Sequence, residues 1–252
     1  MTKEQALYEY TLRLGDSSLI IGHRLSEWCG HGPMLEEDIA LTNIALDLVG
    51  QSRTLLDYAA KVEGKGRTED DIAYLRDSVQ FRNVLLAEQP NGDYANTTVR
   101  QFFFDAYCFY LYEALKTSKD ATFAGFAEKS LKEVVYHLRH STDWLVRMGD
   151  GTEESHTRAQ AAVDELWTYT GDMFDMNEVD AILIKEGIAP DLNAVKAKWD
   201  KLVKETLAKA TLKLPAENYM QKGSRTGKHT EHLGFLLAEM QYMQRSYPNS
   251  KW

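Results

Sequence analysis

The apolar residues of this chain recur every three or four positions over most of its length, which is the spacing of amphipathic α-helices. Its five prolines interrupt the pattern at few places, and a proline costs about 3 kcal/mol inside a helix. No stretch of useful length alternates apolar and polar residues as a half-buried strand would. The pattern predicts helices over residues 3–30, 36–63, 70–88, 95–117, 121–148, 153–173, 177–186, 191–211 and 230–246.

The predicted helices are long and the connections between them are short. Four of them span 23 to 28 residues, whereas helices in globular proteins average about 11–12. Long helices joined by short turns pack as antiparallel bundles. No low-complexity stretch or long linker divides the chain. We therefore predict an all-α fold, a single antiparallel long-helix bundle over residues 1–252 with additional helices at the C-terminal end.

Composition and charge exclude several classes of partner. The 252 residues carry a formal net charge of −9, which disfavours nucleic acids and anionic membrane surfaces as partners. The N-terminus lacks the apolar region of a signal peptide, and no apolar stretch is long enough to span a bilayer. The two cysteines, Cys29 and Cys108, lie among apolar neighbours without CxxC spacing. We expect reduced core thiols in a cytoplasmic protein.

A polar line runs along one helix that the pattern predicts to be buried. The stretch "LTNIALDLVGQSR", residues 41–53, carries Asn43, Asp47 and Gln51 at four-residue spacing. Residues four apart are neighbours on a helix surface. The line could therefore be a metal site, the remains of one, or a structural hydrogen-bond network.

Acidic residues also occur in apolar surroundings on other long helices. Asp16 and Asp105 join Asp47 as expected buried acids, and Glu133 lies on a fourth helix, although its neighbour Lys132 is more typical of a solvated or ion-paired position. Asp16 and Asp47 are 31 residues apart, and Asp105 and Glu133 are 28 apart. These similar separations fit two related helical hairpins.

The histidines do not complete a di-iron site. Such a site in a helical bundle takes a Glu from each of two helices and a Glu-x-x-His from each of two others. Gly50 stands three residues after Asp47, and His137 comes one position late after Glu133. Only Glu153 and His156 have the required spacing, in the first turn of a predicted helix, where acids are expected and water is near.

The residues thus predict no catalytic, cofactor-binding or metal-binding side chain. The ligand-like positions are interpreted as degenerate and structural: Asp16, Asn43, Asp47, Asp105, Glu133 and His137. Two alternatives stay open: a di-iron oxygenase or iron-binding protein with an unusual ligand set, and a helical adaptor that binds a partner protein.

The C-terminal stretch "GKHTEHLGFLLAEMQYMQRSYP" also looks metal-like, because His229, Glu231 and His232 lie close together. They straddle a predicted helix start, where Thr230 would be the N-cap and Glu231 the acid of the first turn. Local structure is the preferred interpretation. The apolar face that follows suits either the core or a partner contact.

Several long blocks resemble a known family. They are "YTLRLGDSSLIIGHRLSEWCGHGPMLEEDIALTNIALDLVGQSR", "AEQPNGDYANTTVRQFFFDAY", "YHLRHSTDWLVRMGDGTEES" and "HTEHLGFLLAEMQYMQR". The sequence resembles the C subunits of bacterial ring 1,2-phenylacetyl-CoA epoxidases, in the ferritin-like superfamily. The resemblance extends over essentially the whole chain and is looser over residues 153–215.

The resemblance implies a ferritin-like fold and a non-catalytic structural subunit of an NADPH-dependent monooxygenase complex for phenylacetate degradation. Its implied partners are the di-iron catalytic A subunit, which it pairs with and stabilises, a B subunit, and a reductase with flavin, an iron–sulfur cluster and NADPH. No cofactor is implied for this chain, and self-association of the isolated chain is compatible with the resemblance. Asn43, Asp47 and Gln51 would then belong to a hydrogen-bonded network that replaces a di-iron site.

Overall fold

The structure is a computed structural model, and the residues it describes are 1–216, 219–248 and 250. Within these ranges the chain forms ten α-helices and no β-strand. In chain order the helices are α1 (Lys3–Ser26), α2 (Leu35–Glu63), α3 (Glu69–Tyr74), α4 (Tyr94–Leu115), α5 (Ala121–Gly149), α6 (Glu153–Leu166), α7 (Glu178–Glu186), α8 (Leu192–Lys209), α9 (Glu231–Met240) and α10 (Tyr242–Ser246).

The chain divides into two compact units. The first comprises residues 1–90, 177–179 and the described part of 223–252, and the second comprises residues 91–176 and the described part of 180–222. Each unit contains one pair of long helices. That the whole chain behaves as a single domain stays a prediction.

The first unit is built on an antiparallel hairpin of α1 and α2. Two glycines of α1 set its register, since Gly15 lies against Leu56 and Gly22 lies against Leu48. A Cβ at Gly15 would meet the Leu56 side chain at 2.8 Å, so the glycine permits the close approach of the two helices. α2 ends at Glu63 and is capped by Gly64, whose φ of 67° is the left-handed conformation that favours glycine at a helix end.

The segment after α3 corrects one prediction. The expected helix over 70–88 ends at Tyr74, and only short 3-10 turns follow at Ser78–Gln80 and Leu85–Glu88. The backbone N–H groups of Arg82 and Val84 donate to side chains of α1 instead of to helical carbonyls. Tertiary contacts therefore override the local periodicity here.

The second unit is built on an antiparallel hairpin of α4 and α5. Tyr94 at the start of α4 packs edge-on against Trp144 near the end of α5, with 5.4 Å between ring centroids. Tyr112, near the end of α4, packs against Phe126 of α5 at 5.2 Å. Trp199 of α8 is buried in this core and donates its indole N–H to the Phe103 carbonyl at 2.9 Å.

Most other helix boundaries agree with the prediction within a few residues. The predicted helix over 153–173 ends as 3-10 turns after Leu166, and the one over 230–246 is interrupted at Gln241. Cys108 is buried as expected, but Cys29 is exposed because it lies in the turn after α1 ends. No helix in the described residues is long and apolar enough to cross a membrane. A cytoplasmic location stays a prediction.

Candidate functional site

The polar line on α2 runs from the surface into the core. Asn43 is exposed, Asp47 is half-buried and Gln51 is buried. The expectation that all three lie inside was wrong because a step of four residues overshoots a 3.6-residue turn by about 40°. Two such steps rotate the line by roughly 80° around the helix. Asn43 and Asp47 therefore do not lie together in the core, and burial does not support the structural role predicted for them.

Asp16 lies at the centre of a buried ion-pair cluster in the first unit. Its two carboxylate oxygens accept from both terminal nitrogens of the buried Arg76 guanidinium, one of them at 3.0 Å. The backbone N–H of Arg82 also donates to Asp16, at 2.8 Å. The Arg76 guanidinium stacks on the Phe81 ring, 4.3 Å from its centroid.

This cluster fastens the irregular segment after α3 onto α1. A buried carboxylate must be paired and hydrogen-bonded, since unpaired burial of a charge is very unfavourable. Asp16 meets that requirement entirely with protein donors. A metal ion would have to displace the Arg76 guanidinium to reach the Asp16 oxygens.

Asp105 forms a different buried cluster, in the second unit. Its Oδ1 accepts from the Gln101 side-chain amide at 2.6 Å, and its Oδ2 accepts from the Ser141 hydroxyl at 2.8 Å. Ser141 and the buried His137 lie one turn apart on α5, and the Ser141 hydroxyl also lies 3.1 Å from the His137 carbonyl oxygen. The cluster thus joins α4 to α5.

Among the described residues no guanidinium is bonded to Asp105, so no cation in direct contact counters the effect of burial on its pKa. Burial raises the pKa of the Asp105 carboxyl from its ordinary 3.8 to about 6. The electrostatic influence of His137 and the hydrogen bonds from Ser141 and Gln101 favour the carboxylate but do not offset burial. The buried carboxylate of Asp16 is therefore paired with a cationic side chain, whereas that of Asp105 accepts from neutral donors.

The remaining ligand-like positions lie nearer the surface. Glu133 of α5 is half-buried, not buried as expected. Glu153 is exposed in the first turn of α6, as the sequence predicted. His156 places its Nδ1 2.7 Å from the Gly149 carbonyl oxygen at the end of α5. Of this Glu-x-x-His, His156 alone is shown in contact with the end of α5.

The donor set does not fit a di-iron centre. Both carboxylate oxygens of Asp16 and of Asp105 already accept hydrogen bonds from protein donors. Over the part of the chain that the structure describes, no three His, Cys, Asp or Glu side chains come together as a metal-binding group. Whether the protein binds iron in solution stays a prediction.

Another buried acid, Glu88, was missed because it falls inside the wrongly predicted helix 70–88. Its Oε1 accepts from the Thr230 N–H at 2.6 Å and from the Thr230 hydroxyl at 2.8 Å. Its Oε2 accepts from the Asn83 amide at 2.8 Å and lies 2.8 Å from His229 Nδ1. The metal-like histidine of the C-terminal stretch is thus a partner of Glu88. Thr230 occupies the N-cap position of α9 as predicted, but its hydroxyl donates to Glu88 and makes no capping hydrogen bond.

His229 contacts hydrogen-bond acceptors at both ring nitrogens. Nδ1 faces the Glu88 carboxylate, and Nε2 lies 3.0 Å from the Phe81 carbonyl oxygen. Two acceptors favour the imidazolium, which can donate from both nitrogens. Burial opposes that charge most strongly, but Glu88 and the Phe81 carbonyl outweigh it and raise the pKa of His229. The ion pair fastens the C-terminal segment to the core of the first unit.

Comparison with known proteins assigns the chain to a family. The model of the phenylacetic acid catabolic protein family matches residues 1–252. The chain belongs to this family. It is 48% identical over 246 residues to the C subunit of 1,2-phenylacetyl-CoA epoxidase from Escherichia coli (strain K12). The alignment covers 98% of this chain and 99% of that relative.

The fold of this family member also has a solved counterpart. Protein 19 with aldehyde deformylating oxidase activity from Synechococcus matches with a TM-score of 0.58, over 84% of this chain and 95% of that chain. The two sequences are 15% identical, so the likeness bears on the fold alone. The all-α, ferritin-like fold predicted from the sequence is confirmed.

Proposed function

We propose that this chain is the C subunit of a 1,2-phenylacetyl-CoA epoxidase and acts there as a non-catalytic structural subunit. The observation that carries the proposal is the 48% identity to a relative of that name over 98% of this chain. An alignment of this extent takes in both compact units, so the proposal concerns the chain as a whole. The protein would pair with the di-iron catalytic A subunit and stabilise it.

The chemistry of the buried acids supports the non-catalytic part of the proposal. Asp16 is committed to the Arg76 guanidinium, and Asp105 accepts from the Gln101 amide and the Ser141 hydroxyl. These contacts use the oxygens that a metal ligand would need. The complex would therefore obtain its di-iron centre from the A subunit, and its flavin, iron–sulfur cluster and NADPH site from the reductase.

Reconstitution tests the proposed role in the complex. The A subunit is expressed with and without this chain, mixed with the B and reductase subunits, and assayed for NADPH-dependent oxygenation of phenylacetyl-CoA. We expect soluble, active A subunit only in the presence of this chain. Full activity of the A subunit without it would overturn the proposal.

Iron loading separates the proposal from the di-iron alternative. The isolated chain is loaded anaerobically with ferrous iron, desalted and analysed for metal. We expect no stoichiometric iron in the protein fraction. Retention of an iron pair per chain, lost in an Asp105→Asn variant, would instead make this chain a metal-binding protein in its own right.

A further inference from the structure

The C-terminal segment, residues 229–246, is attached to the rest of the first unit at both of its ends. At its start, the His229 side chain is 4% exposed and lies against the fully buried Glu88 carboxylate. At its far end, Gln241 and Arg245 donate to backbone carbonyl oxygens at and just after the end of α3. Of these two attachments, the one at the start contains the group that titrates near neutral pH, the imidazole of His229.

The surroundings of the His229 ring require a donor at each of its nitrogens. Nδ1 lies 2.8 Å from the Glu88 carboxylate, and Nε2 lies 3.0 Å from the Phe81 carbonyl oxygen. The imidazolium donates from both nitrogens, whereas a neutral imidazole has one donor and one lone pair. Loss of the proton would leave that lone pair facing the Phe81 oxygen in one tautomer and the Glu88 carboxylate in the other. Both arrangements are unfavourable in a buried site, so the observed geometry requires the protonated ring.

The charges around the ring give the sign of the pH dependence. Burial lowers the pKa of His229, but Glu88, the Phe81 carbonyl and Asp16 together raise it above its ordinary 6.5. The stability that the proton contributes is therefore complete below pH 6.5 and is lost as the pH rises through the folded-state value. The other charged or titratable groups bonded to the ring's partners or adjacent in sequence are Arg24 of α1, Arg76, Arg82, Lys228, Glu231 and His232.

Glu88 stays fixed when His229 loses its proton, because other donors hold it. Its Oε2 also accepts from the Asn83 side-chain amide at 2.8 Å, and its backbone carbonyl accepts from the Arg24 guanidinium at 2.8 Å. At the far end of the segment, the Gln241 amide and the Arg245 guanidinium do not titrate near neutral pH. A rise in pH therefore weakens one attachment of the segment and leaves the other unchanged.

We propose that His229 and Glu88 form a pH-sensitive latch, which holds the start of the C-terminal segment while His229 is protonated and releases residues 229–237 when it is not. Residues 241–246 stay attached, so the release is a local opening and not the unfolding of the unit. Opening exposes the Glu88 carboxylate and the buried leucines of α9: Leu233, Leu236 and Leu237. The inference rests on contacts within this chain and does not depend on the proposed function.

Hydrogen–deuterium exchange of the full chain between pH 6 and 9 tests the latch, with mass spectrometry of peptic peptides. Exchange times are scaled for the intrinsic rate at each pH, so that protection factors are compared. We expect the protection of residues 230–237 to fall at least about threefold as the pH rises, beginning with the Thr230 N–H that donates to Glu88. The protection of residues 242–246 should change by less than about twofold.

Two histidine variants assign the effect to one ring. His229→Gln cannot form an imidazolium, so residues 230–237 should be less protected than in wild type at pH 6 and equally protected at every pH. The matched control is His232→Gln, which removes a partly exposed histidine three residues further along the same segment. His232→Gln should keep the wild-type pH dependence.

A second measurement needs no variant and holds even if His229→Gln does not fold. The ring nitrogen shifts of His229 in NMR spectra should show the imidazolium at pH 6 and change over the same pH interval as the protection. Loss of protection where this ring does not titrate would assign the opening to another group and overturn the latch.

Three exchange results would also overturn it. One is equal protection of residues 230–237 at pH 6 and 9 in wild type, and another is a wild-type fall that persists in His229→Gln. The third is exchange of these residues only as fast as the most protected amides of α1 and α2, because the opening would then be global unfolding.

Discussion

Replacing Asp105 with Asn should stabilise the protein at neutral and alkaline pH. The carboxyl is fully buried, and its pKa of about 6 lies above its ordinary value of 3.8. In the native state Asp105 therefore binds its proton more tightly than in the unfolded state. Stability contributed in this way is complete below pH 3.8 and is lost as the pH rises through about 6.

The size of the stability change follows from the difference between the native and ordinary pKa values of Asp105. A pKa of about 6 in place of 3.8 corresponds to about 3 kcal/mol of unfolding free energy, lost once the carboxyl is ionised. Asn approximates the protonated acid in shape and keeps an oxygen that can accept from Gln101. We expect Asp105→Asn to match wild type near pH 4.5 within about 1 kcal/mol and to exceed it by about 2–3 kcal/mol at pH 8.

Urea denaturation at closely spaced pH values between 4 and 8.5 measures this directly, with circular dichroism to follow unfolding. The matched control is Asp143→Asn, an exposed acid on α5, which should leave the pH profile of wild type unchanged. If Asp105→Asn were less stable than wild type at pH 8, or kept the wild-type pH dependence, burial would not dominate the Asp105 carboxyl and the reasoning would be refuted.

Three further changes test the other buried groups. Asp16→Asn should lower the unfolding free energy by about 3–5 kcal/mol, because it leaves the Arg76 guanidinium buried without its counter-ion; a loss below about 1 kcal/mol in urea denaturation would contradict the anchoring role. His229→Gln should flatten the fall in stability above pH 6.5, since the raised pKa of His229 means that its contribution is lost as pH rises through the folded-state value; an unchanged thermal-unfolding profile between pH 6 and 9 would argue against the ion pair. Iodoacetamide should label the exposed Cys29 in the native protein and reach the buried Cys108 only after unfolding, as peptide mass spectrometry would show; equal labelling rates would contradict these burial assignments.

The long helices could be predicted because their signal is local. Apolar spacing and the few prolines place α1, α2, α4 and α5 within a few residues of their observed ends. The segment 75–93 could not be predicted in this way, because partners far away in the sequence determine its backbone. The N–H groups of Arg82 and Val84 bond to Asp16 and Ser17, more than sixty residues earlier.

The candidate site could likewise be predicted only where the signal is local. Asp16 and Asp105 were correctly expected to be buried because each interrupts a strongly apolar stretch. Their partners, Arg76 for one and Ser141 for the other, come from separate elements and carry no mark in the sequence. Glu88 was missed for a related reason, since a wrongly predicted helix concealed that its carboxylate faces the C-terminal segment.

Asp16, Glu88 and Asp105 differ in the partners of their carboxylates and in the segments that they join. Asp16 and Glu88 each fasten an irregular or C-terminal segment, and each has a cationic partner. Asp105 joins two regular helices that already pack through aromatic side chains, and its carboxylate accepts only neutral donors directly. An acid whose removal stabilises the fold serves something other than stability, such as helix register. If Asp105→Asn is more stable but binds the A subunit less well, that role is the alignment of α4 with α5 in the complex.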